Sequence, residues 1–190
     1  EYSTLARTTV TVTAVSGSLT APRSVVAGAD VEVSWTGPDN SGDFITIVEA
    51  GAEEGSWGNY AYTAEGNPVT LQVPDVAGEY EVRYVTGSDY ITLASVPLTA
   101  ERATATVSGP ASADALAFVE VSWTGPGNRG DFITIVPAGD PDDTWGAYYA
   151  YVQDGDPVQL QVPDEPGDYE IRYVTGQSYF TLARQAITVR

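Results

Sequence analysis

The chain has no cysteine, histidine or methionine, and its eight basic residues are all arginine, so lysine is missing as well. Without cysteine there is no disulfide framework, no thiolate zinc site and no cysteine nucleophile. The lack of histidine removes the commonest general base and transition-metal ligand. Schiff-base and P-loop phosphate chemistry both need the absent lysine. Only carboxylate chemistry survives, as paired-acid hydrolysis or oxygen coordination of a hard cation. No stretch approaches the roughly 18 consecutive apolar residues of a membrane helix, so no membrane insertion is expected.

What is present is acid on an ordinary core composition. The net charge is −18 over 190 residues, yet 43% of the residues are hydrophobic. That hydrophobic share is enough for a packed interior, so the carboxylates belong on a solvated surface. Such a surface repels phosphate backbones and anionic lipid, and nucleic acid is not an expected partner.

The sequence repeats itself. Val-Glu-Val-Ser-Trp-Thr-Gly-Pro at 31–38 returns at 119–126, a displacement of 88 residues. Gly-Asp-Phe-Ile-Thr-Ile-Val at 42–48 returns at 130–136, and Trp57-Gly58 at Trp145-Gly146. After one inserted residue near Tyr149 the displacement is 89, carrying Leu71 to Leu160 and Arg83 to Arg172. The segment from Tyr2 to Arg7 matches 179–184, with 90–95 as the copy between. Residues 1–14 therefore read as the last strand of a preceding repeat, 15–102 as repeat 1 and 103–190 as repeat 2.

Within each repeat the hydrophobic period is two. Val31, Val33 and Trp35 alternate with Glu32 and Ser34, and Tyr80, Val82 and Tyr84 alternate with Glu79, Glu81 and Arg83. Turn residues such as Gly37-Pro38 and Pro74-Asp75 separate the runs, and no helical period persists. Six or seven short strands at about ten-residue spacing predict an all-β fold of two tandem immunoglobulin-like antiparallel β-sandwich domains. Gly78-Glu79-Tyr80 and Gly167-Asp168-Tyr169 resemble the tyrosine corner of such domains. The short junction at 99–102 has no Gly/Ser-rich or Pro-rich linker, which predicts limited hinge freedom and an extended rod.

The pattern W-T-G-P-x-N-x-x-D-F-I-T-I-V, then W-G-x-Y, then P-D-x-x-G-x-Y-E-x-R-Y-V-T-G resembles immunoglobulin-like repeats of large secreted or envelope proteins of Gram-negative bacteria. Some of those proteins also carry a von Willebrand A-type domain. The resemblance implies an extracytoplasmic bacterial location, neighbouring repeats as partners and a stalk or spacer role without catalysis. It supplies no binding residue.

Candidate sites come from the residues themselves. Trp57, Tyr60 and Tyr62, with Trp145, Tyr148 and Tyr151, concentrate aromatics beside a loop. Exposed rings of this kind stack on sugars, giving a glycan- or protein-binding module as the alternative function; rings filling the sandwich edge would be structural. Asp140, Asp142 and Asp143 form the densest acidic loop and are the candidate calcium ligands, although no twelve-residue calcium loop is present. No other cofactor is implied. Asp43 and Asp131 open equivalent strands while Arg83 and Arg172 occupy another, which predicts an Asp–Arg pair across neighbouring strands. Arg129-Gly130-Asp131 spells an integrin-type tripeptide, but only its Gly-Asp recurs, at Gly42-Asp43, so a turn is the expected role.

Overall fold

The computed structural model describes residues 3–11 and 13–190; Glu1, Tyr2 and Val12 lie outside it, and with them part of the match at Tyr2–Arg7. Up to Gly17 the described residues form no strand, with Leu5 and Val10 exposed. No helix among the described residues is long and apolar enough to cross a membrane.

The first unit runs through β1 (Ser18–Thr20), β2 (Ser24–Val26), β3 (Asp30–Thr36), β4 (Phe44–Glu49), β5 (Asn59–Tyr62), β6 (Val69–Gln72), β7 (Gly78–Val85) and β8 (Thr92–Glu101). The second repeats it as β9 (Thr106–Ser108), β10 (Ser112–Ala113), β11 (Phe118–Thr124), β12 (Phe132–Pro137), β13 (Tyr149–Tyr151), β14 (Val158–Gln161), β15 (Gly167–Val174) and β16 (Thr181–Val189). Each unit is therefore eight-stranded rather than six- or seven-stranded, because its first strand is divided. In unit 1 the division falls at Ala21-Pro22-Arg23, where Pro22 has no N–H to continue a ladder. One half, β1, pairs antiparallel with β3, and the other, β2, pairs parallel with β8.

Each unit is a three-stranded sheet packed on a five-stranded one. The orders are β1-β3-β6 against β2-β8-β7-β4-β5, and β14-β11-β9 against β10-β16-β15-β12-β13. This is the two-sheet, strand-switching arrangement of an immunoglobulin-like sandwich. Alternation decides what lies between the sheets: Val31 and Val33 of β3 and Leu71 of β6 face Ile45 and Ile47 of β4, Val82 and Tyr84 of β7 and Leu98 of β8. Burying each large aliphatic contributes about 1.5–3 kcal/mol, which replaces the missing disulfide. Trp35 meets Tyr84 edge-on at 5.7 Å and donates its indole N–H to the Gly66 carbonyl at 3.0 Å. Trp123 meets Tyr173 at the same 5.7 Å in a more tilted approach and donates to the Gly155 carbonyl at 2.9 Å. The tyrosine corners are present: the Tyr80 hydroxyl donates to the Val76 carbonyl at 2.9 Å and Tyr169 to Glu165 at 3.0 Å.

The two units meet through a set of polar contacts at the lower end of unit 1. Asp75 accepts hydrogen bonds from the backbone N–H groups of Gln177 at 3.1 Å and Ser178 at 2.8 Å. The Gln177 amide donates to the Val73 carbonyl at 2.8 Å and accepts from Asn59 at 3.0 Å. Gln72 donates to the Arg129 carbonyl at 3.1 Å, and Asn128 donates to the Ala27 carbonyl at 3.0 Å. Only Arg102 to Ala105 separate β8 from β9, and Ala103 is buried. Partial burial pushes the Asp75 carboxyl up, but the hydrogen bonds from the Thr175–Ser178 turn outweigh it and hold it below the usual carboxylate range.

Candidate functional site

One buried arginine per unit anchors the loop that carries the exposed tryptophan. On β7, Arg83 donates to the carbonyls of Ala52 at 2.6 Å and Glu53 at 3.0 Å, and its Nε pairs with Glu81 at 3.0 Å. Arg172 on β15 does the same with Asp140 and Pro141, each at 2.6 Å, and with Glu170. Pinned in this way, the loop folds back across the outer face of β4. There Thr46 accepts from Gly58 N–H at 3.0 Å and donates to the Asn59 carbonyl at 3.1 Å. Gly58 is required by this approach, since a Cβ would stand 2.5 Å from the Ile47 carbonyl oxygen.

The expected Asp–Arg pairs do not form. Asp43 is buried at the entrance to β4, accepting from the Tyr84 hydroxyl at 3.0 Å and from Asn40 and Gly87 N–H, both at 3.0 Å. Asp131 accepts from Tyr173 at 2.7 Å and from Asn128 and Gly176 N–H. Arg83 lies opposite Thr46 in the ladder, three residues past Asp43, and bonds the loop instead. Burial, together with the hydrogen bond and charge of Asp43, pushes the Tyr84 phenol up to about 12, even though it also accepts from Asp39 N–H. Tyr173 is raised further for the same reasons, and burial raises Asp131 despite its donors. The tripeptide at 129–131 is this same turn, with Asp131 fully engaged inside it.

Beside each anchored loop lies an aromatic cleft. In unit 1, Phe44 forms the floor, with Tyr60 at 5.7 Å and Tyr90 at 6.1 Å between ring centres. Trp57 and Tyr62 stand edge-on to Tyr60 at 5.6 and 5.4 Å. The cleft holds about 190 Å³ and is also lined by Gly42 and Gly87. Its Trp57 is 60% exposed. The adjacent Tyr60 phenol pushes the Tyr62 phenol above its ordinary range. In unit 2, Phe132 is ringed by Trp145, Tyr149, Tyr151 and Tyr179 at 5.9–6.4 Å. Here Trp145 stacks on Tyr179 at 5.9 Å and 18°.

Trp57, Tyr60 and Tyr62 thus come together, as do Trp145 and Tyr151. Tyr148 does not join them. The inserted residue precedes it, so Tyr148 takes the place of Asn59 and packs half-buried on the core, while Tyr149 stands where Tyr60 does. Sequence reading also missed Phe44, Phe132, Tyr90 and Tyr179. Tyr90 and Tyr179 both adopt left-handed backbone, at φ 55° and 58°, in a turn that a threonine braces from Thr86 or Thr175. A non-glycine residue in this region is uncommon, and its recurrence after Thr-Gly was the available signal.

In the acidic loop one of the three side chains is paired. Asp142 pairs with Arg184, Asp140 offers its carbonyl to Arg172, and Asp143 is exposed. Among the described residues no three acidic side chains converge on a point that would hold a cation.

No model of a known protein family matches the chain, and neither does any curated protein. Among solved structures it is similar to the adhesin InvE of Yersinia pseudotuberculosis, at 12% identity and a TM-score of 0.37, over 93% of this chain and 58% of the adhesin. It is also similar to a segment of two fibronectin type-III domains from chicken tenascin, at 13% identity and a TM-score of 0.33, over 90% of this chain and 97% of that segment.

Proposed function

We propose that the chain is a non-catalytic spacer: two sandwich units held at a fixed mutual orientation within a larger extracytoplasmic bacterial protein. The carrying observation is the junction, where Asp75 accepts two backbone N–H groups of the following unit and Gln177 reaches back to Val73. A flexible tether needs no such set, and a four-residue connection leaves little freedom once it forms. Residues 1–14 belong, in this proposal, to a preceding unit. Leu5 and Val10 stand at the repeat positions of Leu93 and Leu98, and the buried state of Leu98 explains why apolar residues recur there. Small-angle scattering tests the spacer: an extended particle that loosens on Asp75→Ala supports it, and a compact particle rejects it.

A second role rests on a separate observation, the matching aromatic clefts with their exposed indoles. Flat rings around an open cleft stack on the apolar faces of sugars, and the Tyr60 and Tyr62 hydroxyls supply polar partners. Titration of oligosaccharides with intrinsic tryptophan fluorescence tests it. A saturable response abolished by Trp57→Ala with Trp145→Ala supports glycan binding, and silence across neutral and acidic glycans rejects it.

A further inference from the structure

Gly28 lies in the tight turn before β3, at φ 83°, and its neighbour across the junction is Asn128. A Cβ at position 28 would stand 2.3 Å from the Asn128 side-chain nitrogen, 3.1 Å from its Cγ and 3.4 Å from the Asp75 Cβ. The first distance forces the Asn128 amide to move from where it bonds the Ala27 carbonyl, and the second is tight. The repeat places Leu116 at the counterpart of Gly28, in the same turn. Leu116 N–H donates to the Pro163 carbonyl as Gly28 does to Pro74, and Val162 pairs with Ala117 as Val73 does with Ala29. Leu116 takes up φ 62° with its side chain half exposed. The fold therefore tolerates a side chain at this turn, and the glycine of unit 1 answers to the neighbour rather than to the unit itself.

We infer that residues 28 and 116 carry the address of each unit's lower end: glycine admits a loop bearing asparagine, and leucine refuses it. The upper end of unit 1 carries Asn40 at the counterpart of Asn128, and Asp89 at the counterpart of Ser178. Presented to the lower end of unit 2, Asn40 would meet Leu116, and Asp89 would face Asp164, the counterpart of Asp75. A second copy of this chain is therefore excluded from the lower end of unit 2 by bulk and by like charge, while the junction between units 1 and 2 is accepted. Open-ended stacking of copies, the usual hazard of a head-to-tail contact, is suppressed at its contact point.

The inference rests on the fixed junction proposed above, and a double-mutant cycle in the full chain separates the two. Residual dipolar couplings are measured for the wild type, Gly28→Ala, Asn128→Gly and the double variant, asking whether both units share one alignment tensor. The expected pattern is a shared tensor in the wild type and in Asn128→Gly, its loss in Gly28→Ala, and its return in the double variant, where the colliding amide is gone. If the double variant stays as disordered as Gly28→Ala, backbone strain at φ 83° is the cause and the address is wrong. A shared tensor in Gly28→Ala overturns it as well. Independent tensors in the wild type would instead remove the fixed junction.

Discussion

Buried polar side chains do most of the organising work at the scale of single residues. Arg83 and Arg172 hold loop carbonyls, so Arg83→Met should leave those of Ala52 and Glu53 without their donor and cost about 1–3 kcal/mol. Urea denaturation reads the loss, and fluorescence reads release of the Trp57 loop; an unchanged midpoint would show that the arginine does not anchor it. Tyr84 gives a pH dependence of definite sign. Its folded value near 12 lies above the unfolded value of about 10, so its contribution is intact below pH 10 and is lost as pH rises toward 12. Denaturation midpoints between pH 9 and 12 should therefore fall, and Tyr84→Phe should be less stable at neutral pH but lose less over that window. The sequence pointed to Asp43 and Arg83 as partners because both recur on adjacent strands. Their three-residue offset in the ladder, which only the register reveals, sends Asp43 to a tyrosine and Arg83 to a loop.

Among the strands, the period-two alternation of β3 and β7 made both sheets legible, since Val33 and Val82 face inward and Glu32 and Glu81 do not. The outer face of β4 was harder to read. Phe44, Thr46 and Val48 are buried there too, because the Trp57 loop covers the side that alternation would leave wet. Two adjacent tyrosines made the edge strand of unit 2 ambiguous, and a one-residue slip exchanges its faces. Tyr148 and Tyr149 thus traded roles. Removing an exposed cleft ring should be nearly neutral: Trp57→Ala is expected to change stability by about 0.5 kcal/mol or less. Trp35→Ala, which opens a hole against Tyr84 and removes a bond to Gly66, should cost about 3–5 kcal/mol. Equal losses in thermal melts would show that both indoles are structural.

Across the whole molecule, the repeat announced the two units, and the absence of a linker pointed to a stiff connection, but most of the contacts that cross it join residues about 100 positions apart. Nothing local in Asp75 or Gln177 marks them, since the pairing exists only once two units are stacked. Because the Asp75 carboxyl is held below its unfolded value, its contribution to the junction is present above the ordinary carboxylate range and is lost as pH falls through the depressed folded value. Acidification should thus uncouple the units while the sandwich cores, built from aliphatic and aromatic side chains, remain folded. Cross-junction amide chemical shifts at Gln177 and Ser178 follow that transition, and their invariance down to the loss of the core would contradict it.

The most direct test of a fixed two-unit spacer is backbone ¹⁵N relaxation of the intact chain at neutral pH. One anisotropic rotational diffusion tensor describing both units, and splitting into two faster ones in Asp75→Ala, is the predicted result. Two independent tumbling times in the wild type would contradict it, leaving the junction contacts as a passing encounter between tethered domains.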